Sequence, residues 1–343
     1  MKNSSMLFIA FLLLSTSCST RKDSDKTTTV PDATPYVNQI SQEQLKEHLY
    51  VIASDEMEGR NTGEKGQKKA GEYLINYYKS IHVPFPKGAK DYYQPISASF
   101  FKKEFSPRLG DSENIWAFIE GSDKPEEILV ISAHYDHVGM KNGEIFNGAD
   151  DDGSGTVALL ELAKVFTQAK KDGNGPKRSI LFLHVTGEEH GLHGSRYYTL
   201  NPLFPLKNTI ANINIDMIGR RGYGKENNDN YIYVIGSDRL STDLHNISEI
   251  ANTKYTQMEL DYKYNDLNDP NRFYYRSDHY NFAKNGIPSI FYFNGVHDDY
   301  HKATDTPDKI DYPLLTKRTQ LIFTVAWNLA NTAERPNVDK DGK

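Results

Sequence analysis

In this 343-residue chain, two histidines, an acidic triplet and a pair of glutamates stand where apolar runs end. Ser132–Gly139 (SAHYDHVG) closes the run Ile128–Ala133 with His134, Asp136 and His137. Gly187-Glu188-Glu189 follows the apolar Ser179–Thr186, Asp216 sits inside Thr209–Ile218, and HDDYHKATDTPDKID carries His297 and His301. Asp150-Asp151-Asp152 forms an acidic turn between the first run and the next helical stretch. Histidines and carboxylates without a thiolate make a nitrogen/oxygen site suited to zinc or a similar divalent ion. Carboxylates gathered without a cation repel one another, and a metal turns that repulsion into binding. The donors exceed what one catalytic zinc takes from protein. Two ions sharing one carboxylate, about 3.5–4 Å apart, fit better.

Such residues need strands that end on one edge. Glu127–His134, Ser179–Thr186, Thr209–Ile218, Tyr231–Gly236 and Pro288–Phe293 read as strands, as does Asn114–Glu120. Between or around them, Ser41–Ala53, Gly66–Ser80, Thr156–Ala169, Leu192–Leu200, a stretch from Thr242, Ser277–Lys284 and Pro313–Asn331 read as helices. Ser41-Gln42-Glu43-Gln44 looks like a capping box, and Leu159, Leu160, Ala163 and Phe166 share a helix face. Strands alternating with helices, several apolar throughout, predict a three-layer α/β/α fold with a mostly parallel, mixed central sheet. In such sheets ligands bind beyond the carboxyl ends of the strands, where these polar clusters gather. His184, inside a strand, reads as a hydrogen-bonded core residue.

AHYDHVG, NGADDDGSGTVALLELA, TGEEHGLHGS, INIDMIG and DDYHKATDTPDKID together resemble the co-catalytic dizinc exopeptidases, the family of secreted bacterial leucine aminopeptidases and glutamate carboxypeptidases. DEMEGRNTGEKGQKKAGEYL, upstream, is similar to the bacterial members, so the resemblance covers most of residues 55–311. It implies two zinc ions per chain. His134 and Asp216 would hold one ion, Glu189 and His301 the other, with Asp151 bridging. It further implies Glu188 as general base, Asp136 orienting the His134 imidazole, and Asp278 supporting the last histidine. Tyr275 or Tyr300 would donate to the oxyanion. His137, His190 and His193 match no ligand position and read as surface or supporting groups. His297 competes with His301, and the Lys-Ala-Thr-Asp-Thr that follows favours His301. Asp150 and Asp152 read as turn-forming or supporting carboxylates.

The implied reaction is hydrolysis of an amino-terminal residue from a peptide by metal-activated water. Glutaminyl cyclisation, carboxypeptidase action and a non-catalytic peptide-binding lipoprotein stand as alternatives. Arg220, Arg221, Arg272 and Arg276 keep the carboxypeptidase option open, since a terminal carboxylate needs a basic partner. The formal charge of −6 and short, interleaved basic runs argue against a nucleic-acid partner. The composition leaves the oligomeric state open.

Cys18 is the sole cysteine, which excludes an internal disulfide and a cysteine-zinc site. Lys2, the apolar Met6–Leu14 and Ser15-Thr16-Ser17-Cys18 read as a signal peptide, residues 1–18. The ending resembles a bacterial lipoprotein cleavage box with Cys18 lipidated, although Ser15 stands where that pattern prefers leucine. Residues 19–36 are polar and read as a tether. One metallopeptidase domain over 37–335 and a polar tail over 336–343 would follow. The expected location is outside the cytoplasm, held to the membrane only by the lipid.

Overall fold

The apolar runs become strands because a strand covered on both faces has no place for a polar alternate. The computed structural model describes residues 30–342, so the expected signal peptide and residues 19–29 of the expected tether lie outside the described residues. In chain order the first elements are α1 (Thr34–Val37), α2 (Gln42–Ile52), α3 (Lys65–Ser80), β1 (Tyr93–Ile96), α4 (Ala98–Lys103), β2 (Ser112–Ile119) and β3 (Lys124–His134). A small hairpin, β4 (Met140–Lys141) and β5 (Glu144–Ile145), precedes α5 (Gly155–Lys171), β6 (Arg178–Val185), α6 (His193–Leu200) and β7 (Thr209–Ile215). The chain continues through β8 (Tyr231–Ile235), α7 (Thr242–Tyr255), β9 (Glu259–Asp261), α8 (His279–Ala283), β10 (Ser289–Phe293) and α9 (Tyr312–Asn331).

The described residues build an eight-stranded sheet in the order β1-β2-β6-β3-β7-β10-β8-β9. Its middle, β6-β3-β7-β10, is parallel throughout, while β1, β2 and β8 join antiparallel. The four strands expected to carry polar ends are therefore neighbours pointing the same way. Leu129, Ile131 and Ala133 of β3 pack with α2, α3, α5 and α9 on one face. Ile128 and Val130, the alternate residues, pack on the other with Tyr198 of α6 and Phe282 of α8. Helices on both sides make the three layers that the pattern predicts. Each fully buried aliphatic side chain contributes about 1.5–3 kcal/mol, so both faces matter.

Ser41 caps α2, its Oγ accepting from the Gln44 N–H at 3.2 Å. The packed body is wider than the expected residues 37–335. Tyr36 stacks on Trp327 with ring centroids 5.2 Å apart, and the Trp327 indole donates to the Pro31 carbonyl at 2.7 Å. The last residues of the expected tether thus lie against α9. The expected tail is held as well, with Asn337 donating to Asp243 and Asp339 accepting from the Thr242 N–H at the start of α7. Among the described residues, no helix is long and apolar enough to cross a membrane.

Candidate metal centre

β3 ends on His134, paired in register with Val185 at the end of β6, so the Glu188-Glu189 turn begins alongside it. Next to them the acidic triplet is tied down by its outer members. Asp150 accepts from the Gly219 N–H at 2.6 Å, and Asp152 accepts from the N–H groups of Gly155 (2.9 Å) and Met217 (3.2 Å). The Asp305 carboxylate accepts from the N–H of Asp150 (3.0 Å) and of Asp151 (3.2 Å). These bonds leave the middle carboxylate, Asp151, to face the strand ends. Gly148, at φ +54°, lets the chain reach this turn. A Cβ there would lie 2.5 Å from the His137 ring.

Asp151 Oδ1 lies 3.2 Å from His134 Nε2, and its Oδ2 lies 3.0 Å from His301 Nε2. Asp216 Oδ1 is 3.6 Å and Glu188 Oε2 4.0 Å from the same His134 nitrogen. Glu189 Oε2 lies 2.9 Å from His301 Nε2. One carboxylate thus sits between two groups of donors. Among the described residues, His134 Nε2, His301 Nε2, Asp151 Oδ2 and Glu189 Oε1 are buried and make no well-aligned hydrogen bond, only close approaches to one another and to His137. Buried polar atoms left unpaired each cost about 1–3 kcal/mol, so several aimed at one another call for a cation among them. Among the described residues, two sets lie close enough to bind an ion, His134–Glu188–Asp216 and His137–Asp151–Glu189. The donors, imidazole nitrogen and carboxylate oxygen, suit zinc.

The protonation pattern carries the same meaning. Burial, joined by the charges of Asp216 and Glu189, pushes the Glu188 carboxyl well above its ordinary range. Burial opposes a proton on His301, yet Asp151 and Glu189 hold that imidazole up to about 10. Asp278 is pushed up to about 7 by burial. Carboxyls that retain protons beside histidines that gain them mark a cluster short of positive charge.

His134 Nδ1 lies 3.0 Å from the Asp136 carbonyl, which only accepts. That fixes the tautomer and turns the Nε2 lone pair toward Asp151. The bond differs from expectation: the Asp136 carboxylate is 3.7 Å from Nδ1 and instead accepts from Thr62 Oγ1 (2.9 Å) and the Glu188 N–H (3.2 Å). Asp136 serves His134 through its backbone and the glutamate turn through its side chain. Asp216 is oriented by Ser277, whose hydroxyl donates to Oδ2 at 2.6 Å.

His297 and His301 differ in what their ring nitrogens meet. His297 uses both ring nitrogens inside the fold, Nε2 on Asp150 Oδ2 (3.0 Å) and Nδ1 accepting from the Asp299 N–H (3.3 Å). His137 lies inside the fold rather than on the surface, as a supporting group would. It is fully buried, with Nδ1 2.7 Å from Glu189 Oε1. Its position three residues past His134 was the available signal. Asp278 also departs from expectation, since its partner is Ser195 Oγ and its strongest opposite charge is His134, not His301. Tyr300 stacks on His301 and lines the cavity over Asp151, Glu188 and Asp216. Tyr275 lines a separate cavity with Arg239, Tyr264 and Arg272, outside the metal cluster.

Arg60 was unforeseen. Its buried guanidinium donates to the carbonyls of Tyr135 (2.9 Å), Ile52 (2.8 Å), Asn147 (2.6 Å) and Gly148 (2.8 Å). It thereby joins the loop after β3 to the turn before Asp151, under the acidic cluster. Its position inside DEMEGR gave no hint of carbonyl partners.

The chain is similar over 225 residues, at 32% identity, to a protein named "Probable leucine aminopeptidase" from Trichophyton verrucosum. The match covers 63% of this chain and 57% of that relative, so the chain spans little more than half the relative's length. Among solved structures, the LapA aminopeptidase of Legionella pneumophila superposes with a TM-score of 0.68 at 22% identity, covering 89% of this chain and 77% of that one. A glutaminyl cyclase of Bacteroides thetaiotaomicron does so with a TM-score of 0.65 at 19% identity, covering 88% and 99%. These two likenesses concern the fold. The description "Peptidase family M28" matches residues 114–326, more than half of the chain and the stretch that bears every residue of the cluster. The chain belongs to peptidase family M28.

Proposed function

We propose that the protein is a dizinc aminopeptidase that removes amino-terminal residues from peptides. The observation that carries this reading is Asp151, whose two oxygens face His134 on one side and His301 on the other. His134 and Asp216 would hold one ion, and Glu189 and His301 would hold the other. The chemistry that such ions would supply there is Lewis-acid activation of water and of the peptide carbonyl. Glu188 accepts the water's proton at its carboxylate and returns it to the leaving amine nitrogen. Tyr300, in the cavity wall, donates its phenol to the developing oxyanion. His137 steadies Glu189 from the side opposite His301.

Membership of the family and likeness to proteins named as aminopeptidases support the reading. The amino-terminal sequence supports export, with Cys18 as a lipid anchor. Replacing it in Cys18→Ser should move the protein from the membrane fraction to the soluble one, and unchanged partition would remove the anchor.

The test of function offers one tripeptide with a free or acetylated amino terminus and a free or amidated carboxyl end. An aminopeptidase is stopped by acetylation and indifferent to amidation. The reverse pattern assigns carboxypeptidase action. An amino-terminal glutamine peptide that loses ammonia without chain cleavage assigns cyclisation.

A further inference from the structure

Four arginines near the strand ends could have met a substrate carboxylate, and the structure separates them. Arg220 is spent on Asp299 at 2.9 Å, and Arg221 on Asp311 at 2.6 Å and Asp229 at 3.0 Å. Arg272 lies over the Tyr275 ring, 4.9 Å from its centroid, in the separate cavity. Arg276 alone of the four lines the cavity that holds Asp151, Glu188 and Asp216. Its guanidinium lies 5.0 Å from the Phe273 ring centroid, and among the described residues it has no carboxylate partner.

An arginine stacked on an aromatic face keeps its planar N–H edge available, and that edge matches a carboxylate with two parallel bonds. The Arg276 side chain is exposed, while the backbone beside it is fixed. The next residue, Ser277, donates to Asp216 Oδ2 at 2.6 Å and accepts from Asn214 Nδ2 at 2.8 Å, both groups at or just beyond β7. Besides Arg276, Tyr300 and the carboxylates, the cavity is lined by apolar side chains, Met217, Phe273, Phe291, Phe293 and Val296. A cavity with the candidate metal centre at its floor, hydrocarbon in its walls and an exposed guanidinium without an ion-pair partner at its lining suits a substrate whose apolar stem leads to a carboxylate.

We infer that Arg276 is a specificity-determining residue that selects substrates bringing a carboxylate into this cavity. The inference rests on the aminopeptidase reading above. The carboxylate comes either from an acidic amino-terminal side chain or from the carboxyl end of a dipeptide. The recognition chemistry is the same.

Three peptides separate the sources: Glu-Gly-NH2 carries only the side-chain carboxylate, Leu-Gly only the terminal one, and Leu-Gly-NH2 neither. The native enzyme should cleave one carboxylate peptide with kcat/KM about 10-fold or more above Leu-Gly-NH2, as charge-assisted pairs allow. In Arg276→Gln that ratio should collapse, mainly through KM. In Arg276→Glu the preference should turn toward Lys-Gly-NH2, a gain that damage to the fold would not produce. Parallel losses on all three peptides, unchanged ratios, or native discrimination against both carboxylates would overturn the inference. If none of the peptides is cleaved, the aminopeptidase reading fails by itself. Calorimetric binding of the same peptides to the native chain and to Arg276→Gln then decides. Affinity that depends on both the carboxylate and Arg276 upholds the inference, and equal or absent affinity ends it.

Discussion

Asp151 and Glu188 lie side by side in the cavity but have different work, and substitutions should separate them. Asp151 offers one oxygen to each histidine group, so Asp151→Asn removes charge from both proposed ion positions at once. It should lose bound metal together with activity. Glu188 lies at the edge of the His134 group, 4.0 Å from Nε2. Glu188→Gln keeps the shape but cannot take a proton. It should retain both ions while kcat falls by about 10²–10⁴-fold. Metal analysis and kcat measured on the same preparations check both. A Glu188→Gln enzyme near native kcat would remove the general-base role, and an Asp151→Asn enzyme with full metal content would remove the bridge.

At the scale of elements, buried arginines do much of the joining. Arg60 ties the end of α2 and the loop after β3 to the turn before Asp151, while Arg318 of α9 donates to the carbonyls of Ile218, Arg220 and Tyr231. Arg60→Met leaves four buried carbonyls without that donor and should cost about 3–5 kcal/mol of unfolding free energy in denaturant titration. A loss below 1 kcal/mol would mean that water replaces the guanidinium at little cost, contrary to this account.

A second test at this scale uses His184 of β6, buried beside the Tyr78 hydroxyl at 2.7 Å as a core histidine should be. Burial lowers its pKa to about 3 from an ordinary 6.5. As pH falls below 6.5 the unfolded chain takes this proton first, so the stability due to neutral His184 is complete above 6.5 and declines toward 3. Relative to His184→Gln, the native protein should lose about 2 kcal/mol of its advantage between pH 6.5 and 5. A difference that stays constant over that interval would contradict the buried, neutral imidazole.

The strands, and polar groups such as His134 and Glu188 at their ends, were legible because those groups follow an apolar run, as Glu188 follows Ser179–Thr186. Long helices were legible for the same reason of period. His137 was not, because its partner Glu189 is distant in sequence and belongs to another strand end. Arg60 bonds to backbone carbonyls, which no sequence pattern displays. The direction of Tyr275 depends on an irregular segment, which the sequence resemblance could not aim. Tyr36 and Pro31 sit in a polar stretch, and only their contact with Trp327 reveals that they belong to the packed body.

Across the whole molecule, four parallel neighbours, β6, β3, β7 and β10, bring their carboxyl ends to one edge, and the acidic triplet fills the gap between them. That arrangement collects carboxylates at a cost that a cation must offset. The reading of two shared ions therefore stands or falls with the metal itself. The direct measurement is elemental analysis of the purified chain during stepwise chelation, with peptide hydrolysis followed on each sample. The account predicts about two zinc equivalents per chain, activity that disappears as they leave, and activity that returns when zinc is restored. A chain stripped of metal that still cleaves peptides at its full rate would contradict it.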